Sequence, residues 1–139
     1  TEITKPLMTK ELEEEKIGKV VIGTVEGDIH DIGKSIVESF LSASGFTVHD
    51  LGRDVSSQAF VDKAIDVNAN VIATSALLTT TMKAQADLEK LLVEKSLKDK
   101  IKTIVGGAPV SQAWADKIGA DGYAEDAGGA ARLLTELIG

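Results

Sequence analysis

The sequence predicts a doubly wound α/β sheet. Five short apolar runs recur along it, segments of helical spacing separate them, and several runs lead into glycine-rich or hydroxyl-rich loops. The first run is Val20-Val21-Ile22. Phe46-Thr47-Val48, Val71-Ile72-Ala73 and Ile101 to Val105 come next, with a weaker run near Tyr123. Runs this short and continuously apolar suit strands covered on both faces, as in a parallel sheet. Between them, Ile36, Val37, Phe40 and Leu41 are expected to share one helix face, as are Phe60, Val61, Ala64 and Ile65. Ala84, Leu88, Leu91 and Leu92 repeat the spacing, and Leu133, Leu134, Leu137 and Ile138 close the chain with it. Ser56 and Ser111 are predicted N-caps, because a serine hydroxyl accepts from the free N–H groups of a first helical turn. Right-handed crossovers and short loops favour a flavodoxin-like or Rossmann-like order, 2-1-3-4-5, with helices on both faces.

A length of 139 residues suits one domain. Thr1 to Lys16, with Pro6 and the run Glu11-Leu12-Glu13-Glu14-Glu15-Lys16, differs in character from the rest of the chain. It is expected to be a linker or the remnant of a preceding helical domain, and residues 17–139 the domain proper. The net charge of −7 repels phosphate backbones, which argues against nucleic acid as a partner. No apolar run approaches the ~20 residues that span a bilayer, so no membrane partner is expected. The absence of cysteine excludes disulfides, thiolate zinc sites, iron–sulfur clusters and a cysteine nucleophile, and fits a cytoplasmic location. His30 and His49 are the two histidines, so a site built from several imidazoles is impossible.

In the predicted order the sheet reverses direction between strands 1 and 3, and ligands bind beyond the carboxyl ends of strands at such a point. The loops to inspect are therefore Thr24 to Gly33 and Ser75 to Thr81. The first contains Gly27-Asp28-Ile29-His30-Asp31-Ile32-Gly33. A carboxylate at Asp28, two residues before His30, is placed to accept the imidazole's second N–H, which fixes the tautomer and strengthens the ring as a ligand. One histidine holds a bare ion poorly, but it can supply an axial bond to a metal already held in a macrocycle. The competing reading is a turn in which His30 is a cap and Asp28 and Asp31 are solvated. His49 is expected to be a strand-end surface residue. In the second loop, Thr81 can hydrogen-bond Asp28, giving a His–Asp–Thr relay, or cap the helix that begins at Met82. The third loop, Gly106-Gly107-Ala108-Pro109, offers bare backbone to a flat ligand, or forms a tight turn with Pro109 entering the next helix.

Together these residues resemble the cobalamin-binding domain of the corrinoid methyltransferase family. That family's signature reads Asp-x-His-x-x-Gly, then Ser-x-Leu, then Gly-Gly. Here it is met by Asp28, His30 and Gly33, by Ser75 and Leu77, and by Gly106 and Gly107. The intervals 34–74 and 78–105 between the motifs also agree. The resemblance covers nearly the whole chain from about Lys16. It implies a cobalamin-type corrinoid bound base-off, with His30 as the metal ligand and the nucleotide tail inserted into the domain. Ser75, Leu77, Gly106 and Gly107 would line the tail's slot, Gly33 would stand at its entrance, and Ala124-Glu125-Asp126-Ala127 would close its far end. Asp31, Ile32 and Thr79 would also touch the cofactor, and Thr81 takes the place of the relay hydroxyl. The stretch Gly23 to Lys34 is similar to the small corrinoid proteins of anaerobic methyl metabolism. That similarity implies a carrier cycling between Co(I) and methylcobalamin. Its partners would be a methyl-donor:corrinoid methyltransferase, an acceptor methyltransferase acting on a thiol or tetrahydrofolate, and a reductive activation protein. His30, Asp28 and Thr81 would be the residues acting in that cycle.

Two other readings share the fold. One is the cobalamin-binding subunit of an adenosylcobalamin-dependent mutase, against which the leucine of Ser75-Ala76-Leu77 and the spelling of the first loop count. The other is a response-regulator receiver, which needs an aspartate at the end of strand 3 and a lysine after strand 5. Those places read Thr74-Ser75-Ala76 and Ala124-Glu125. A light or cobalamin sensor would need a DNA-binding segment beside the domain.

Overall fold

The computed structural model describes residues 18–28, 32–107, 109–124 and 127–138. The expected linker Thr1 to Lys16 and its boundary at Ile17 lie outside them. Among the described residues five strands, β1 (Lys19–Thr24), β2 (Thr47–Asp50), β3 (Val71–Ser75), β4 (Lys102–Gly106) and β5 (Gly122–Tyr123), alternate with five helices. The helices are α1 (Ile32–Ala43), α2 (Ser57–Val67), α3 (Met82–Glu94), α4 (Gln112–Ile118) and α5 (Ala127–Ile138). All pairings are parallel, and the strand order is 2-1-3-4-5, as predicted.

Alternation along the strands explains why their sequence is apolar without a break. Val20 and Ile22 point to one face, where they meet Leu41 of α1, Phe46, and Ala130 and Leu134 of α5. Val21 points to the other, where Phe60, Val61 and Ala64 of α2, Leu88 and Leu92 of α3 and Ala115 of α4 pack. Both faces of β1 are thus buried, and a polar residue at any of these positions would lose its water without gaining a partner.

The predicted helix faces are wider than the stripes that are buried. Leu41 is buried and Val37 half-buried, but Ile36 and Phe40 are 59% and 46% exposed; Ile65 on α2 is 53% exposed. A helix lying on a sheet covers about a third of its circumference, and residues at the margin of the stripe remain in water. The expected caps form: Ser56 accepts from Ala59 N–H at 3.1 Å and Ser111 from Trp114 N–H at 3.2 Å. At the other end of α2, Asn68 adopts a left-handed conformation and its N–H closes on the carbonyls of Ala64 and Ile65. Pro109 does not enter a helix: α4 begins at Gln112, and Pro109 lies in the loop before its cap. His49 is a half-buried strand residue paired with Val21.

Candidate functional site

The carboxyl ends of β1, β3 and β4 carry three loops that hydrogen bonds join edge to edge. Val25 N–H donates to Ser75 O at 3.1 Å, and Ala76 N–H donates to Gly106 O at 3.0 Å, which prolongs the parallel ladder beyond the strands. Gly107 presses directly on the second loop. A Cβ built there would lie 1.9 Å from Ala76 O, at a φ of +128° that side-chain-bearing residues avoid, so no other residue fits. Gly106 faces the opposite neighbour, with Ala124 O 3.2 Å from where its Cβ would be.

Asp28 is fully buried within this edge. Its N–H closes a turn on Val25 O at 3.0 Å, and its Oδ2 accepts from Leu77 N–H at 2.7 Å and from the Thr81 hydroxyl at 2.8 Å. A buried carboxylate without donors costs several kcal/mol, so this pair of bonds is a condition for the aspartate to be there at all. The solvated-turn reading therefore fails for Asp28. Thr81 occupies the N-cap position of α3, yet its hydroxyl makes no cap bond. Its one hydroxyl proton is shared between Asp28 Oδ2 and Leu78 O, so the helix-cap reading is replaced by a contact that crosses from the second loop to the first.

Ser75 ends β3 half-buried, Leu77 is half-buried beside it, and Thr79 is exposed at the rim. Gly106 ends β4 and Gly107 is next to it. Ala124 comes directly after β5, its N–H donating to Val105 O at 3.0 Å. Ile32 and Gly33 open α1, and Ala127 opens α5. His30, Asp31, Glu125 and Asp126 lie outside the described residues. The residues that are described from the three motifs thus share one edge of the sheet.

Two features of this edge escape sequence reasoning. Gln85, fully buried one turn into α3, donates from Nε2 to Thr74 O, Thr74 Oγ1 and Gly106 O, while its Oε1 accepts from the Trp114 indole at 3.0 Å. Its place four residues after Thr81 was the available signal. The loop after β2 is the second. Asp54 N–H donates to Asp28 O at 3.0 Å, and Asp54 Oδ1 accepts from Gly27 N–H at 2.7 Å. The turn-forming run Gly52-Arg53-Asp54, placed beside the first loop by the strand order, was the clue.

Away from the edge, a cavity of about 350 Å³ opens between α3 and α4, lined by Glu89, Lys90, Val93, Glu94, Lys98, Ile118 and Gly119. Glu89 is 3% exposed and pairs with Lys98, which also reaches Asp121 at 3.1 Å. Burial pushes the Glu89 carboxyl above its usual range, against the hydrogen bond from Lys98.

The chemistry of the edge fits a metal already held in a macrocycle, since His30 stands two residues after the buried Asp28 in sequence. Among the described residues no group of three His, Cys, Asp or Glu side chains could hold a metal. What the edge offers is a buried, anchored carboxylate two residues before a histidine in sequence, beside the close-packed backbone of Gly106 and Gly107. Residues 18–132 match the B12 binding domain family, and the chain belongs to it. Its cofactor is a cobalamin-type corrinoid.

The chain is 54% identical over 134 residues to dimethylamine corrinoid protein 3 of Methanosarcina mazei, covering 96% of this chain and 80% of that protein. It is 58% identical over 127 residues to trimethylamine corrinoid protein 1 of Methanosarcina acetivorans, covering 91% of this chain and 59% of that one. Among solved structures, it is similar to the monomethylamine corrinoid protein of Methanosarcina barkeri (TM-score 0.84, 41% identity, 95% of this chain and 64% of that one). It is also similar to a chain of the methanol:cobalamin methyltransferase complex MtaBC of the same organism (TM-score 0.83, 35% identity, 88% and 47%). The chain spans 58–64% of several further dimethylamine corrinoid proteins. Receiver domains of response regulators match at TM-scores of 0.57–0.63 and 12–18% identity, which reflects the shared fold alone. No helix among the described residues is long and apolar enough to cross a membrane.

Proposed function

We propose that the protein is a methyl carrier, holding its corrinoid with His30 as lower ligand to cobalt and passing a methyl group between a donor and an acceptor methyltransferase. The observation that carries this reading is the buried Asp28, tied through Oδ2 to Leu77 and Thr81 and two residues ahead of His30. When bound, the corrinoid supplies a cobalt centre that takes up a methyl group and gives it away. His30 provides the imidazole nitrogen, and Asp28 accepts the ring's other N–H and so fixes its tautomer. Leu77 N–H and the Thr81 hydroxyl hold the carboxylate in place for that task. Gly33, Ser75, Leu77, Gly106 and Gly107 border the nucleotide tail, with Ala124 to Ala127 at its far end and Asp31, Ile32 and Thr79 nearer the ring.

Similarity to dimethylamine and trimethylamine corrinoid proteins supports a methylated amine as the class of donor. The likeness to a chain of a methyltransferase complex supports docking to a separate donor enzyme. A thiol or tetrahydrofolate methyltransferase as acceptor and a reductive activation protein complete the proposed set of partners. The first test is the paramagnetic resonance spectrum of the Co(II) protein reconstituted with cobalamin. Labelling the protein's histidines with ¹⁵N should convert the axial nitrogen triplet to a doublet, and His30→Ala should abolish the change. A triplet indifferent to the label would mean that the cofactor's own base is the ligand, and the reading would fall.

A further inference from the structure

The loop after β2 belongs to neither of the two switch-point loops, yet it grips the backbone from which the proposed ligand emerges. Asp54 has a φ of +56°, the left-handed conformation, which costs a residue with a side chain about 1–2 kcal/mol, least for Asp and Asn. That conformation gives its main chain and its side chain the same neighbour. Its N–H donates to Asp28 O at 3.0 Å, and its carboxylate accepts from Gly27 N–H at 2.7 Å. The bonds flanking this clamp are regular: Thr24 N–H to Gly52 O at 2.9 Å and Val55 N–H to Thr24 O at 3.0 Å, with a parallel bridge between Val25 and Val55. Residues 24–28 are thus pinned from the β3 side through the carboxylate of Asp28, and from the β2 side through the N–H of Gly27 and the carbonyl of Asp28.

We propose that Asp54 is a positioning residue for the lower-ligand histidine: its two-point clamp sets the direction in which the chain leaves Asp28 towards His30. The role rests on the reading of His30 as ligand. Leu77 and Thr81 fix where the Asp28 carboxylate lies, but a side chain held at its tip still leaves its backbone able to pivot. Asp54 removes that freedom. The bond from Gly27 N–H to a carboxylate is charge-assisted and stronger than a neutral one, which suits a clamp at an exposed loop.

Three variants of the full chain, loaded with cobalamin and reduced to Co(II) at one fixed pH, separate this role from simple turn stability. Asp54→Asn keeps the Oδ1 acceptor and the tolerance for positive φ, and should retain the ¹⁵N-histidine splitting of the wild type. Asp54→Ala and Asp54→Gly lack the acceptor and should lower the ratio of histidine-ligated to histidine-free cobalt by on the order of tenfold. Glycine also relieves the backbone strain, so Asp54→Gly should lose ligation even where its thermal midpoint equals that of the wild type. In the protein without cofactor, exchange of the Gly27 amide should quicken on the order of tenfold in both, and not in Asp54→Asn. Equal histidine ligation in Asp54→Ala, Asp54→Gly and wild type overturns the role. A wild type without histidine splitting overturns the ligand reading itself, and this role with it.

Discussion

Asp28 and Glu89 are both buried carboxylates on one scaffold, the first at the carboxyl edge of the sheet and the second near the start of β4. The donors to Asp28 Oδ2 are neutral, a peptide N–H and a hydroxyl. Glu89 is met by a lysine that is shared with Asp121, and its Oε2 has no hydrogen-bond partner among the described residues. Neutral donors such as these fix where a carboxylate lies. An ammonium group cancels the charge, and the pair becomes a strut between α3 and the strands beneath it. Shared burial thus accompanies different partners, a peptide N–H and a hydroxyl at one site and an ammonium at the other.

The largest expected effect comes from removing the carboxylate at the edge. Asp28→Ala strands the Leu77 N–H and leaves the Thr81 hydroxyl with Leu78 O in place of a carboxylate, and should lower the stability of the cofactor-free protein by about 2–4 kcal/mol, read by urea denaturation. Corrinoid retention on gel filtration should be lost with it. If that variant were as stable as the wild type, the two bonds would be incidental. A smaller loss, about 1–2 kcal/mol, is expected for Thr81→Val, which keeps the shape but removes one donor; Thr81→Ser should restore the value.

Glu89→Gln should sharpen the comparison from the other side. Lys98 keeps Asp121, so the change at neutral pH should stay within about 1 kcal/mol. The sign of its pH dependence comes from the raised carboxyl of Glu89: the folded protein binds that proton more tightly than the unfolded chain. The contribution of Glu89 to stability is therefore full below 4.5 and declines as pH rises through the folded value. The wild type should accordingly lose stability relative to Glu89→Gln across that rise, measured by denaturation at a series of pH values. A difference that grew in favour of the wild type would contradict the burial argument. Lys98 is also raised: burial pulls it down, but the hydrogen bond and charge of Glu89, then those of Asp121, outweigh that. Its own contribution is present below 10.5 and lost as pH rises through the folded value.

The same contrast explains what the sequence made legible. Strands covered on both faces leave unbroken apolar runs, and helices between them leave a 3.6-residue spacing, so the sheet order and the caps Ser56 and Ser111 could be read directly. The three motifs were legible because each lies just past a strand and the topology alone brings strand ends together. Gln85 and Asp54 were not, since their importance lies in which carbonyls they face, and a glutamine on a helix or an aspartate in a turn is ordinary locally. The exposure of Ile36 and Phe40 was missed because spacing marks a face but not its width. The Glu89–Lys98 pair was hidden for a similar reason: both residues read as surface charges until α3 and the start of β4 are placed side by side.

Trp114 is the single tryptophan of the chain, and its indole N–H ends on Gln85, whose amide reaches the carbonyls of Thr74 and Gly106. The protein therefore carries its own optical reporter, wired to the rim where the second and third loops meet. Any disturbance that parts those loops alters the polarity around that chromophore, so loading and loosening of the rim can be followed by native fluorescence with no label attached.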